Sequence, residues 1–150
     1  MVITFFGHSD FFETKEHAKI LISKLKSLIL DKNEKIDFLL GDKGKFDYFA
    51  KRVCRIFQKE YKNAKLIYVS PYLGEFWEKN GASISSNYDE TVYFAEGKII
   101  PKFAYIKRNE WMIQKADYVF FYVHRSYGGA ARMLQYAKAR NKPFFNLAEE

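Results

Sequence analysis

Residues 118–123, YVFFYV, constrain the fold more than any other stretch of the chain. An unbroken run of aromatic and β-branched residues, with no apolar–polar alternation, suits a strand covered on both faces, as in a parallel sheet. Its C-terminal end opens into His124, Arg125, Ser126, Tyr127, Gly128, Gly129 and Ala130, and an apolar helical stripe at Met133, Leu134 and Ala137 follows. A strand that turns through glycines into a helix aims unpaired backbone N–H groups at one spot, which suits an anion, most often a phosphate. The plainer alternative is a tight connection and nothing more. This segment alone leaves both readings open.

The rest of the chain repeats the alternation. Strands are expected at residues 2–6, 36–40, 66–69, 118–123 and 144–147, and helices at residues 14–30, 46–61, 101–115 and 129–140. Residues 72–100 break the rhythm: they are rich in Gly, Ser and Asn, hold no sustained period, and read as an irregular insertion of the kind that often carries function. Alternating strands and helices predict an α/β fold, a doubly wound, parallel five-stranded sheet of order 3-2-1-4-5 with helices on both faces. One domain spanning residues 1–150 is expected. Ligands of such sheets bind outside the carboxyl ends of the strands where the strand order reverses, here between the first strand and the fourth. Three glycine-bearing turns would converge there: Gly7-His8-Ser9, Gly41-Asp42-Lys43-Gly44, and the turn at residues 124–130.

Composition narrows the classes. Apolar residues make up 48% of the chain, which argues for a packed core and against disorder. The net charge of +7 favours anionic or phosphate-bearing partners without singling out nucleic acid. A single cysteine, Cys54, excludes an intramolecular disulfide and, with three histidines, argues against a metal site. The N-terminal residues lack the pattern of a signal peptide, and no stretch approaches the ~18 apolar residues of a membrane span. A cytoplasmic protein with no membrane partner and no required cofactor is expected.

The glycine turns match neither G-x-G-x-x-G nor G-x-x-x-x-G-K-[ST]. Asp42 and Asp47, around Gly41 and Gly44, suit a ribose hydroxyl or a phosphate, or else cap a turn; Phe46 sits in the same stretch. His8, beside Ser9 and Asp10, suits a ligand contact or a general base, or is a surface histidine. Arg125 suits bidentate pairing with phosphate, or else is exposed to solvent. Arg108 and Asn109 lie on the helix before the fourth strand, near its rim or in solvent. Asp89, Glu90 and Glu96, in the irregular insertion, are candidate acids or bases.

Five segments together carry a resemblance: residues 5–10 (FFGHSD), 39–47 (LLGDKGKFD), 88–97 (YDETVYFAEG), 101–119 (PKFAYIKRNEWMIQKADYV) and 127–147 (YGGAARMLQYAKARNKPFFNL). In this combination and order the chain resembles the SLOG superfamily, the Rossmann-like group that includes DprA/Smf and the LOG phosphoribohydrolases. It is most similar to the small stand-alone members found in Firmicutes and their phages. The resemblance implies a nucleotide or nucleotide-derived ligand at the rim. It also implies a catalytic arginine in an R-x-x-x-M-x-x-x-A-D stretch, matched by Arg108, Met112, Ala116 and Asp117. The glutamate-bearing motif of the hydrolases is degraded: Gly128 and Gly129 persist, but the following glycine and threonine positions hold Ala131 and Arg132, and the glutamate position holds Gln135.

Three functions follow as expectations. The first is binding of a nucleotide or a nucleotide-derived signal, ADP-ribose-like or cyclic, for sensing, sequestration or regulation. The second is N-glycosidic hydrolysis of a nucleoside 5′-monophosphate or another nucleotide, with Arg108 and a loop carboxylate, Asp89, Glu90 or Glu96, in the catalytic roles. The third is single-stranded nucleic-acid binding, with Phe76, Trp77 and Tyr127 stacking bases. A homodimer or higher homo-oligomer is a further expectation from the resemblance.

Overall fold

Strand β1 (Val2–Gly7) pairs in parallel with β2 (Ile36–Leu40) on one side and with β5 (Tyr118–Tyr122) on the other. It therefore lies at the point where the strand order reverses. The computed structural model describes residues 1–97 and 99–149. Its sheet is completed by β3 (Ala64–Ser70), β4 (Glu90–Tyr93) and β6 (Phe144–Asn146), in the order β4-β3-β2-β1-β5-β6 with every pair parallel.

Helices cover both faces. On one face α1 (Lys15–Leu28), α2 (Lys45–Gln58) and α3 (Glu75–Ser85) pack Leu21, Leu25, Phe49, Val53 and Ile84 over Ile3, Phe5, Phe38, Leu66 and Phe120. On the other, α4 (Ala104–Lys115) and α5 (Gly129–Ala139) lay Met112, Ile113, Met133 and Leu134 over Phe6, Leu39, Val69, Val119 and Phe121. Successive β5 side chains thus alternate between two apolar cores, which is why the strand reads as a continuous apolar run. Each fully buried phenylalanine contributes about 1.5–3 kcal/mol. At the start of α1, Thr14 accepts from the His17 N–H while the His17 Nδ1 accepts from the Thr14 N–H, so two donors of the first turn are satisfied locally.

The sheet has six strands, not the expected five. The extra strand lies at the outer edge of β3 and comes from within residues 72–100, which form a helix and a strand, α3 and β4, where an irregular insertion is expected. The reason is physical. β4 is four residues long and only partly buried, so it needs no apolar run. α3 carries Asn80, Gly81, Ser83 and Ser85, whose weak helix preference tertiary packing overrides. Because β4 adds to the far edge, the reversal point stays between β1 and β5.

Candidate functional site

At that reversal point lies a cavity of about 520 Å³, within the size range of small-ligand sites. Gly7, His8 and Ser9 enter from the end of β1, Gly41 and Lys43 from the end of β2, and Asp47 from α2. Tyr105, Arg108 and Asn109 line it from α4. Arg125 comes from the loop after β5, and Gly128, Gly129, Ala130 and Arg132 from the start of α5.

Arg108 is the central group. It is 3% exposed, and it lies on the same helical stripe as the buried Ala104 and Met112, four residues to either side. Its Nη1 donates to the Val69 carbonyl at 2.9 Å and its Nε to the Asn109 Oδ1 at 2.8 Å. Both hydrogen-bond partners are neutral, so neither offsets the charge of the guanidinium. Gly41 matters here by close approach: a methyl group at that position would sit 3.0 Å from the Asp47 Oδ2 and 3.1 Å from the Arg108 Nη2.

Asp47 opens onto the cavity but is packed by protein elsewhere. Its Oδ2 accepts from the Lys43 N–H at 2.8 Å. Burial outweighs that bond and the field of Arg108 and pushes its pKa up to about 6. His8 is buried, and its Nε2 accepts from the His124 N–H at 3.1 Å, which assigns the ring proton to Nδ1. Burial first, then the charge of Arg125, holds its pKa below the usual histidine range. His8 is therefore a neutral fixture whose Nε2 is already engaged.

The α5 turn is open. Gly128 has φ +96° and offers no side-chain cap, and a methyl group at Gly128 or Gly129 would meet nothing within 4 Å. A positive φ is where glycine is the ordinary choice. The space above the turn, next to first-turn N–H groups and the positive end of the helix dipole, suits a phosphate. Arg125 reaches the cavity while its Nη atoms pair with both carboxylate oxygens of Asp10, at 3.1 and 3.3 Å, and its Nε is buried with no hydrogen-bond partner. That pairing holds the Asp10 carboxyl below its ordinary range.

Several sequence candidates lie outside the cavity. Phe46 is a core residue directly beneath Gly7, and Gly44 is the N-cap of α2. Asp42 accepts from the Tyr68 hydroxyl at 3.0 Å and lines a neighbouring cavity. His124 serves through its backbone, Ser126 does not line the cavity, and Tyr127 is exposed with the Arg125 guanidinium 5.3 Å from its ring. Asp89 is bound to Arg55, Gln58 and the Leu66 N–H, and Glu90 pairs with Lys65, so both carboxylates serve the β3–β4 edge. Gln135 is exposed on α5 and does not line the cavity. Among the described residues, Asp47 is the one carboxylate that does.

Lys43, Tyr105 and Arg132 line the cavity without having been singled out as ligand contacts. Lys43 had a signal, its place within the Gly41–Gly44 turn; Tyr105 and Arg132 had none beyond their neighbours. Asn146 is a buried support: its amide bonds both the N–H and the carbonyl of Val123, at 3.0 and 2.9 Å, and so fixes the end of β5. A lone amide in an apolar strand was the available sign.

Solved structures with this fold include two DNA processing proteins A. The one from Helicobacter pylori, described for its single-stranded DNA binding mode, matches with a TM-score of 0.63 and 16% identity over 97% of this chain. The one from Streptococcus pneumoniae matches with a TM-score of 0.59 and 14% identity over 95%. This chain spans 64% of the first protein's length and 49% of the second's. No family model matches the chain, and no curated protein matches its sequence. Among the described residues there is no helix long and apolar enough to cross a membrane, and no cluster of metal-ligating side chains.

Proposed function

We propose that the cavity binds a nucleotide or a nucleotide-derived signal, ADP-ribose-like or cyclic, for sensing, sequestration or regulation. The observation that carries this reading is Arg108: a buried cation held by neutral partners, in a cavity that also contains the uncapped first turn of α5. A phosphate at Gly128–Ala130 would meet backbone N–H groups and lie in the field of Arg108, Arg125 and Arg132. The groups of Asn109, Ser9 and Asp47 then remain for hydroxyl or base contacts.

Binding is favoured over N-glycosidic hydrolysis. Gln135 faces solvent, Asp89 and Glu90 are engaged at the sheet edge, and the carboxylate left in the cavity, Asp47, has its Oδ2 tied to the Lys43 N–H. Mass spectrometry of small molecules released on denaturing the purified protein tests the choice. An intact nucleotide supports binding, whereas a free base with ribose phosphate supports the hydrolase.

Single-stranded nucleic-acid binding is the second reading. The fold it shares with the DNA processing proteins supports it, together with Tyr127, exposed beside Arg125 near the cavity. This reading predicts that affinity for an oligonucleotide falls steeply with salt, as phosphate contacts release counterions.

A further inference from the structure

A second cavity, of about 300 Å³, adjoins the first and shares Lys43 and Tyr105 with it. Those two side chains touch: the Lys43 Nζ lies 4.0 Å from the centroid of the Tyr105 ring. The Arg108 guanidinium lies 5.3 Å from the same centroid. Two cations around one aromatic ring, at the neck between two cavities, gather positive potential there and repel each other. A phosphate bridging the neck would relieve that repulsion.

The second cavity itself differs in character. Its other lining groups are Phe76, Asn80, Ser83 and Ile84, with Asp42. An aromatic face, an amide and a hydroxyl suit an uncharged polar ring, and Asp42 disfavours a second phosphate. The Asn80 Nδ2 donates to the Phe76 carbonyl at 2.9 Å, which leaves its Oδ1 as an acceptor.

Resting on the nucleotide reading above, the geometry points to a two-unit ligand: a nucleoside phosphate in the first cavity, its bridging phosphate at Lys43 and Arg108, and a second nucleoside ring in the cavity over α3. The second cavity is a specificity subsite that selects nucleoside pairs joined through phosphate over mononucleotides. The same chemistry occurs in a free dinucleotide and in consecutive residues of a single strand.

The test is calorimetric titration of the whole chain with 5′-AMP and with the dinucleotide 5′-pApA. The dinucleotide is expected to bind at least about tenfold more tightly. Ser83 is exposed and lines the second cavity but not the first, so Ser83→Trp is directed at the second. It should abolish the dinucleotide advantage while leaving 5′-AMP binding unchanged, which also reports that the variant is folded. Asn80→Ala, a milder change at an exposed site, should reduce the advantage without removing it. Equal affinity for the two ligands in the unaltered protein, or an advantage that survives Ser83→Trp, overturns the subsite. If 5′-AMP binds and pApA gains nothing, only the subsite fails; if neither binds, the nucleotide reading fails with it. A longer oligoadenylate separates the sources: affinity equal to that of pApA identifies a free dinucleotide, and a salt-sensitive gain identifies a strand.

Discussion

Asp47 and Arg108 converge on Gly41, and the missing side chain there leaves both groups facing the cavity at about 3 Å from one point. Each is tied to something else, Asp47 to the Lys43 N–H and Arg108 to Val69 and Asn109. Neither charge neutralises the other by direct bonding, so the cavity wall carries an ionisable acid beside a permanent cation. For the nucleotide binding proposed above, that pairing predicts selectivity for anions and a dependence on pH.

Arg108 is expected to carry most of the anion affinity. Arg108→Ala should weaken nucleotide binding about a hundredfold, near 2.7 kcal/mol, and also lower stability by about 1–3 kcal/mol because the Val69 carbonyl loses its donor. Arg108→Lys keeps the charge but loses the planar fork, and should still bind about tenfold more weakly. Titration calorimetry and denaturant unfolding on the same variants separate the two effects.

Asp47 gives stability a definite pH slope. Its pKa rises from 3.8 to about 6 on folding, so between these values the folded chain holds a proton that the unfolded chain has released. Its contribution to stability therefore falls as pH rises through that window, and above it the cost of an ionised, buried carboxylate is fully present. Asp47→Asn should flatten this slope and raise stability at pH 8 by on the order of 1–2 kcal/mol. Urea unfolding at pH 4, 6 and 8 reads it. Anion binding next to Asp47 should also be accompanied by proton uptake near pH 6, visible as a dependence of the binding heat on the buffer.

His8 slopes the other way. Its pKa is depressed below the usual 6.5, so the unfolded chain takes up a proton first as pH falls. The stability it contributes is present above 6.5 and is lost as pH drops through the folded value. His8→Gln, which retains an acceptor for the His124 N–H, should remove this acid-side loss, as measured by unfolding between pH 7 and 5.

Gly129 separates packing from binding. A methyl group there meets no atom within 4 Å, and the residue begins α5. Gly129→Ala should leave stability within about 0.5 kcal/mol of the unaltered protein, or slightly above it. It should nevertheless weaken nucleotide binding, since the methyl occupies the space assigned to the phosphate. Thermal unfolding and a nucleotide titration form the check.

Much of this was legible in the chain. The run at residues 118–123 reads as doubly covered because its side chains alternate between two cores, and Gly7, Gly41, Gly128 and Gly129 mark the strand ends and helix start that line the cavity. The β3–β4 edge was not legible. A four-residue, half-exposed strand leaves almost no periodic signal, and α3 is helical with Ile84 in the core and Phe76 and Trp77 packed against it, despite residues of weak helix preference. Arg108 illustrates a subtler limit. Its spacing of four from Ala104 and from Met112 places it on the buried stripe, yet a charged residue on such a stripe reads as rim or solvent until the carbonyl that receives it, that of Val69, is in view. Asp89 and Glu90 show the converse: a carboxylate in an irregular segment resembles a catalytic group, but the partners Arg55, Gln58 and Lys65 come from distant parts of the chain.

Binding of a nucleotide phosphate in the cavity around Arg108, as proposed above, depends on the Arg108 guanidinium. Its most direct test is a calorimetric titration of the protein and of Arg108→Ala with a panel of nucleoside 5′-monophosphates. The predicted result is saturable one-to-one binding below about 1 mM for at least one of them, weakened about a hundredfold in the variant. Binding that is indifferent to Arg108→Ala, or no saturable binding by any of the panel, would contradict it.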